Sequence, residues 1–198
     1  MSRKVFDVLA SSAGIIVVVV LVIAGGLLTW GHSFVNDNVH TQLSQQQVYF
    51  PPQAAFDHPK AGTEITPSMI PSVSKYAGQQ LLSGEQAKTY ADNFIAVHLS
   101  EMPYGGVYAK ASAAALADPT NTKLQGVVQT IFRGTTLRGL LLEAYAFSVV
   151  GTIMLWGAIA SFIAAAAIAL LVGLGFWHAR RTSEDAHILT AKAVPASS

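Results

Sequence analysis

Between Glu143 and Arg180 the chain carries no Asp, Glu, Lys or Arg. That gap restricts the fold more than any other feature. A soluble core helix rarely runs so long without charge. Crossing ~30 Å of hydrocarbon, by contrast, takes about 20 apolar residues at ~1.5 Å each. Residues 144–177 (AYAFSVVGTIMLWGAIASFIAAAAIALLVGLGFW) therefore predict one long helix that includes a bilayer span. Trp156 and Trp177 stand 21 positions apart, roughly 31 Å on a helix, the separation of two aromatic belts. The span is placed near 156–177, and the turns before it continue the helix beyond the bilayer.

Within this span Gly157, Ser161, Ala165, Ala169 and Gly173 recur at every fourth position. Small residues let helix backbones approach closely where lipid offers no hydrophobic drive for association. The stripe is therefore read as a helix–helix contact, made by the first span or by a partner. An Ala-rich sequence also produces such rows by composition alone.

The first apolar run, AGIIVVVVLVIAGGLLTW, covers 13–30 and follows Arg3 and Lys4. Basic residues before an apolar stretch also spell a secretory signal. This run is longer than the usual signal core, however, and has no clean small-x-small cleavage site before Trp30, which favours an uncleaved anchor. Arg3 and Lys4 precede the first span, and Arg180 and Arg181 follow the second. The Lys/Arg bias at span ends predicts a cell-membrane protein with both termini cytoplasmic.

The resulting plan is mainly α, with two transmembrane helices flanking a helical extracytoplasmic domain. Its segments are a cytoplasmic start (1–12), transmembrane helix 1 (13–31), the outer domain (32–143), a long helix holding transmembrane helix 2 (144–177), and a cytoplasmic tail (178–198). Composition agrees: 52% of residues are hydrophobic and 12% charged, about half the usual charged fraction. A net charge of +1 without a Lys/Arg cluster argues against nucleic acid as a partner. The absence of cysteine removes disulfides and thiolate chemistry.

In the outer domain, 33–47 reads as a polar continuation of the first helix, ended by Pro51-Pro52. Residues 51–80 hold five prolines and no sustained period, as in a wrapping loop. Ser83-x-x-Gln86 spells a capping box, followed by Ala87, Tyr90, Ala91, Phe94, Ile95 and His98 at helical spacing. Further helices are expected over 108–117 and 120–132, the latter broken at Gly134 with Thr135 capping the next.

Three stretches carry a resemblance. RGTTLRGLLLEAYAF (133–147), YADNFIAVHL (90–99) and the opening through Trp30-Gly-His-Ser-Phe are similar to a group of actinobacterial two-span membrane proteins. That group has no assigned activity, and its members often carry the label of an aromatic-ring-opening dioxygenase subunit. The resemblance extends from residue 1 to about 181. It implies the two-span architecture and transfers no catalytic residue.

Ring opening needs a redox metal, usually iron on two His and a carboxylate. The histidines are His32, His40, His58, His98, His178 and His187. His98 and Glu101 are one turn apart and could converge with His40 or His58. His98 also shares a face with Phe94, which suits a packed histidine, and no pair sits in a metal motif. No catalytic, cofactor or metal residue is therefore assigned. G-x-S-x-G, H-E-x-x-H and phosphate-loop signatures do not occur. Arg133 and Arg138, outside the second span, could bind lipid phosphates, pair with an acid, or snorkel.

The function read from the sequence is an accessory or scaffold subunit of an envelope assembly. Its expected partners are membrane lipid and another membrane protein, or a second copy of itself. The alternative is an extracytoplasmic lipid- or small-ligand-binding sensor, and the remote one a dioxygenase-type enzyme.

Overall fold

A computed structural model describes residues 3–57, 59 and 65–181. His58, His187 and the expected tail from 182 onward lie outside the described residues. Among these residues are seven α-helices: α1 (Arg3–Gln45), α2 (Gln53–Asp57), α3 (Ile70–Val73), α4 (Gly84–Tyr90), α5 (Ala96–Glu101), α6 (Tyr108–Ala117) and α7 (Thr122–Arg181). Among the described residues there is no strand, only an isolated antiparallel bridge between Tyr49 and Gln80. Two helices, α1 and α7, are long and apolar enough to cross a membrane. The chain divides into two compact units, Met1–Gly31 with Ile153–Ser198, and His32–Thr152.

The first unit pairs the apolar parts of α1 and α7. Covered positions include the row 7, 11, 14, 18, 21, 25 and 28 of α1 and the row 154, 158, 161, 165, 168, 172, 175 and 179 of α7, with flanking positions such as 24, 157 and 164 covered beside them. Steps of three and four alternate on both helices, so the mean period is about 3.5, that of left-handed helix pairs. The most covered positions are small: Ser11, Gly25, Ala158, Ala165 and Ala179. At Gly25 a Cβ would lie 2.9 Å from the Phe162 ring, and at Gly14 it would run into Val172. Glycine at these two places sets how near the backbones come. Large apolar side chains such as Ile16, Ile163 and Leu170 point away from the pair.

The second unit has an ordinary core. Val39 and Leu43 of α1 and Leu141 of α7 pack with Phe50, Phe56, Met69, Val73, Leu81, Ala87, Ala91 and Ile95 from the intervening segments. Four ring contacts run through it in series: Tyr76–Phe50, Phe50–Tyr90, Tyr90–Phe94 and Phe94–His98, with centroids 5.1, 5.3, 4.6 and 4.5 Å apart. The capping box forms as spelled. Ser83 accepts from the Gln86 amide, and the Gln86 side chain accepts from the Ser83 amide. This satisfies two donors that a helix start leaves open.

Three local expectations change. α1 stops at Gln45, ahead of Pro51-Pro52. The reversal is made at Gln47 in the left-handed region (φ 52°), with Gln46 and Gln47 amides bonded back to Leu43 and Ser44. The 51–80 stretch folds into α2, α3 and a 3₁₀ turn, Ser74–Tyr76, in its described parts. Gly134 does not break a helix, because α7 runs through it without interruption. One glycine costs a helix about 1 kcal/mol, less than ending it and nucleating another. A Cβ at Gly134 would stand 2.9 Å from Leu99 Cδ2. The residue therefore serves close packing of α5 on α7.

Candidate functional site

Between α4 and α5 the backbone forms one π-helical turn, Ala91–Ile95. Such bulges re-aim side chains, and they recur at functional sites. Here the turn presents Asp92 to two cations. Lys88 Nζ donates to Asp92 Oδ2 at 2.7 Å, and Arg138 Nη2 of α7 donates to Oδ1 at 2.8 Å. The hydrogen bond from Lys88, joined by that from Arg138, holds the Asp92 carboxyl below its ordinary value against the opposing effect of partial burial. The same bond to Asp92 raises Lys88. All three side chains are partly exposed. The arrangement fastens α4 and the π turn to α7.

The candidate lipid contacts therefore separate. Arg138 is committed to Asp92, with its Nε buried and without a hydrogen-bond partner. Arg133 is exposed on α7.

Two of the histidines bond to backbone carbonyls. His98 Nδ1 lies 2.8 Å from the Phe94 carbonyl oxygen. A carbonyl only accepts, so it is Nδ1 that donates here, and Nε2 is the ring's other polar atom. That Nε2 is buried without a partner. Glu101 is exposed. In the second unit His32 Nδ1 donates to the Gly151 carbonyl at 2.8 Å, tying α1 to α7. His40 is exposed. No group of three or more His, Cys, Asp or Glu that could hold a metal occurs among the described residues.

The small-residue stripe is split by the helix pair. Ala165 is 4% exposed, and Ser161 is half-buried with its hydroxyl donating to the Gly157 carbonyl. Gly157 meets α1, since a Cβ there would stand 3.2 Å from Leu28 Cδ1. Ala169 is exposed, and open space surrounds Gly173. A step of four residues turns about 400° on a helix of 3.6 residues per turn. The row therefore rotates away from α1 beyond Ala165.

Two further features had no residues assigned to them from the sequence. The first is a groove of about 340 Å³ between α1 and α7 in the second unit. Its floor is Val35, Val39 and Leu43, with Ala144 opposite, and Phe34, Phe147 and Leu140 form its walls. Asn38, Gln42, Gln46 and Glu143 complete the rim. The i, i+4 row 34-38-42-46 was the available signal. The second is an apolar end where α6 lies near the start of α7. Tyr104, Val107, Tyr108, Leu116 and Phe132 are all exposed there, and Leu116 is 78% open. Tyr104 holds a left-handed backbone (φ 60°) beside Gly105 and Gly106, and Tyr108 contacts Phe132 at 5.7 Å.

Compared with protein-family models, with curated proteins and with solved structures, the chain finds no match in any of the three.

Proposed function

We propose that this protein is a two-span accessory or scaffold subunit of a cell-envelope membrane assembly. It works by binding other proteins and has both termini in the cytoplasm. The observation that carries this reading is the apolar end of the second unit. That unit buries a full core, yet leaves two tyrosines, a valine, a leucine and a phenylalanine open over α6 and its neighbours. Exposed apolar patches on a domain that has a buried core mark sites of association. Ala169 and Gly173, unused by α1, give a second helix a place to pack inside the bilayer.

The test is purification from native membrane in mild detergent, with identification of co-purifying chains. A stoichiometric protein partner is expected. It should be lost in the Leu116→Ser, Val107→Ser double variant, whose surface changes leave helix content intact. Recovery without a partner, or with a partner held equally by the double variant, would overturn the proposal.

A further inference from the structure

The groove between α1 and α7 is graded along its length. Phe34 and Phe147 wall one end, while Gln42 and Gln46 stand toward the other. From 34 to 46 the α1 face spans roughly 18 Å, and Val39 and Leu43 make a dry floor. The volume of about 340 Å³ falls in the range of small-molecule sites, about 300–1,000 Å³. A body with an apolar tail and a polar head matches this gradient. In the sequence, the phenyl end follows Trp30, at the close of the first apolar run, by four residues.

The rim specifies the head. Its ionisable member is Glu143, and no Lys, Arg or His lines the groove. An anionic head would meet the Glu143 carboxylate with no cation in the lining to offset the repulsion. Gln42 Nε2 donates to Asn38 Oδ1 at 2.6 Å. This leaves the Asn38 amide N–H and the Gln42 carbonyl oxygen to face a ligand, beside the Glu143 carboxylate and both ends of the Gln46 amide. Hydroxyls donate and accept, and so match this mixed set; an ammonium only donates and leaves Asn38 unanswered.

We infer that the groove binds a single-chain lipid with an uncharged, hydroxyl-bearing head, of the monoacylglycerol type. The tail lies toward Phe34 and Phe147, and the head toward Gln42 and Gln46. This binding does not depend on association through the apolar end, and either can fail without the other.

The experiment uses the full chain in nanodiscs of uncharged lipid. The probes are a monoacylglycerol with a photoreactive group in its chain and the fatty acid of the same chain. After illumination, adducts are mapped by peptide mass spectrometry. The monoacylglycerol should label the segments around Phe34 and Phe147, be displaced by its unlabelled form, and exceed the fatty acid by roughly fivefold. Glu143→Lys, an exposed change, should abolish or reverse that preference. Ala144→Phe, which fills the groove, should remove the labelling. The wild-type mapping and head comparison decide the matter even where the filled variant fails to fold. Adducts confined to the lipid-facing parts of 153–177, equal labelling by both probes, or a protein cross-linked into the groove would each overturn the inference.

Discussion

The two units use the same pair of helices with opposite interiors. In the second, the hidden side chains include large apolar ones: Met69 is 0% and Leu81 1% exposed. In the first, small residues are hidden, and large apolar ones such as Leu170, 71% exposed, face out. Water expels apolar surface and so drives the first kind of interior. Lipid does not, and close backbone approach by Gly, Ala and Ser must hold the second kind together. The reversal supports a lipid surround for one unit and a watery one for the other. It also makes the worth of an apolar side chain depend on the unit that holds it.

The largest expected contrast follows directly. Leu81→Ala removes a fully buried side chain from the water-driven core and should cost about 2–5 kcal/mol. Leu170→Ala shortens a side chain that faces away from the helix pair, and should change stability by no more than about 0.5 kcal/mol. Denaturation of the purified protein in detergent measures both. Equal losses would mean that Leu170 packs against something in the purified protein, and the contrast between the interiors would fail.

A smaller contrast divides the stripe itself. Ala165→Leu pushes the bulk of three extra heavy atoms toward α1, which should cost roughly 1–3 kcal/mol by overpacking. Ala169→Leu adds the same bulk on the open side and should leave the purified hairpin unchanged. A loss of co-purifying partner with Ala169→Leu alone would assign the remaining stripe to that partner. Indifference to Ala165→Leu would show that the 3.5-residue register is not what holds the pair.

Local signals were legible wherever a short stretch decides the outcome. The charge gap between Glu143 and Arg180 marked an α7 segment long enough to span, the spelling at Ser83 and Gln86 gave the helix start, and 108–117 is α6. What could not be read depends on partners distant in sequence. Gly134 looks like a breaker until Leu99 is seen against it. The every-fourth row is real as spelling, but contact follows the 3.5 period that two supercoiled helices impose, and Ala169 and Gly173 fall off it. Arg138 offered no sign of choosing Asp92, 46 positions earlier. The Lys88–Asp92 spacing of four was visible, yet the π turn that aims Asp92 at both cations has no sequence marker. The groove joins side chains about a hundred positions apart and left only its α1 row to read.

The smallest expected effect belongs to the Asp92 clamp, which lies in the second unit and is open to water. Its carboxyl sits below the ordinary value of 3.8, chiefly through the Lys88 hydrogen bond and then through that of Arg138. A carboxyl lowered on folding stabilises the folded state above its unfolded value, and that contribution is lost as pH falls through the lowered folded value. Lys88 is raised above 10.5, so its contribution holds below that value and fades as pH rises beyond it. Between these limits the clamp is constant. Partial exposure and screening keep it small, as for most ion pairs in contact with solvent. Asp92→Asn keeps the shape of the side chain and removes the charge. In unfolding measurements from neutral pH down to about pH 2, where carboxyls shifted in this direction titrate, the wild type should lose stability more steeply than Asp92→Asn. The two curves should approach each other at the acid end. Parallel curves over that window would mean that Arg138 and Lys88 gain nothing from the charge, and that the π turn holds Asp92 for its hydrogen bonds alone.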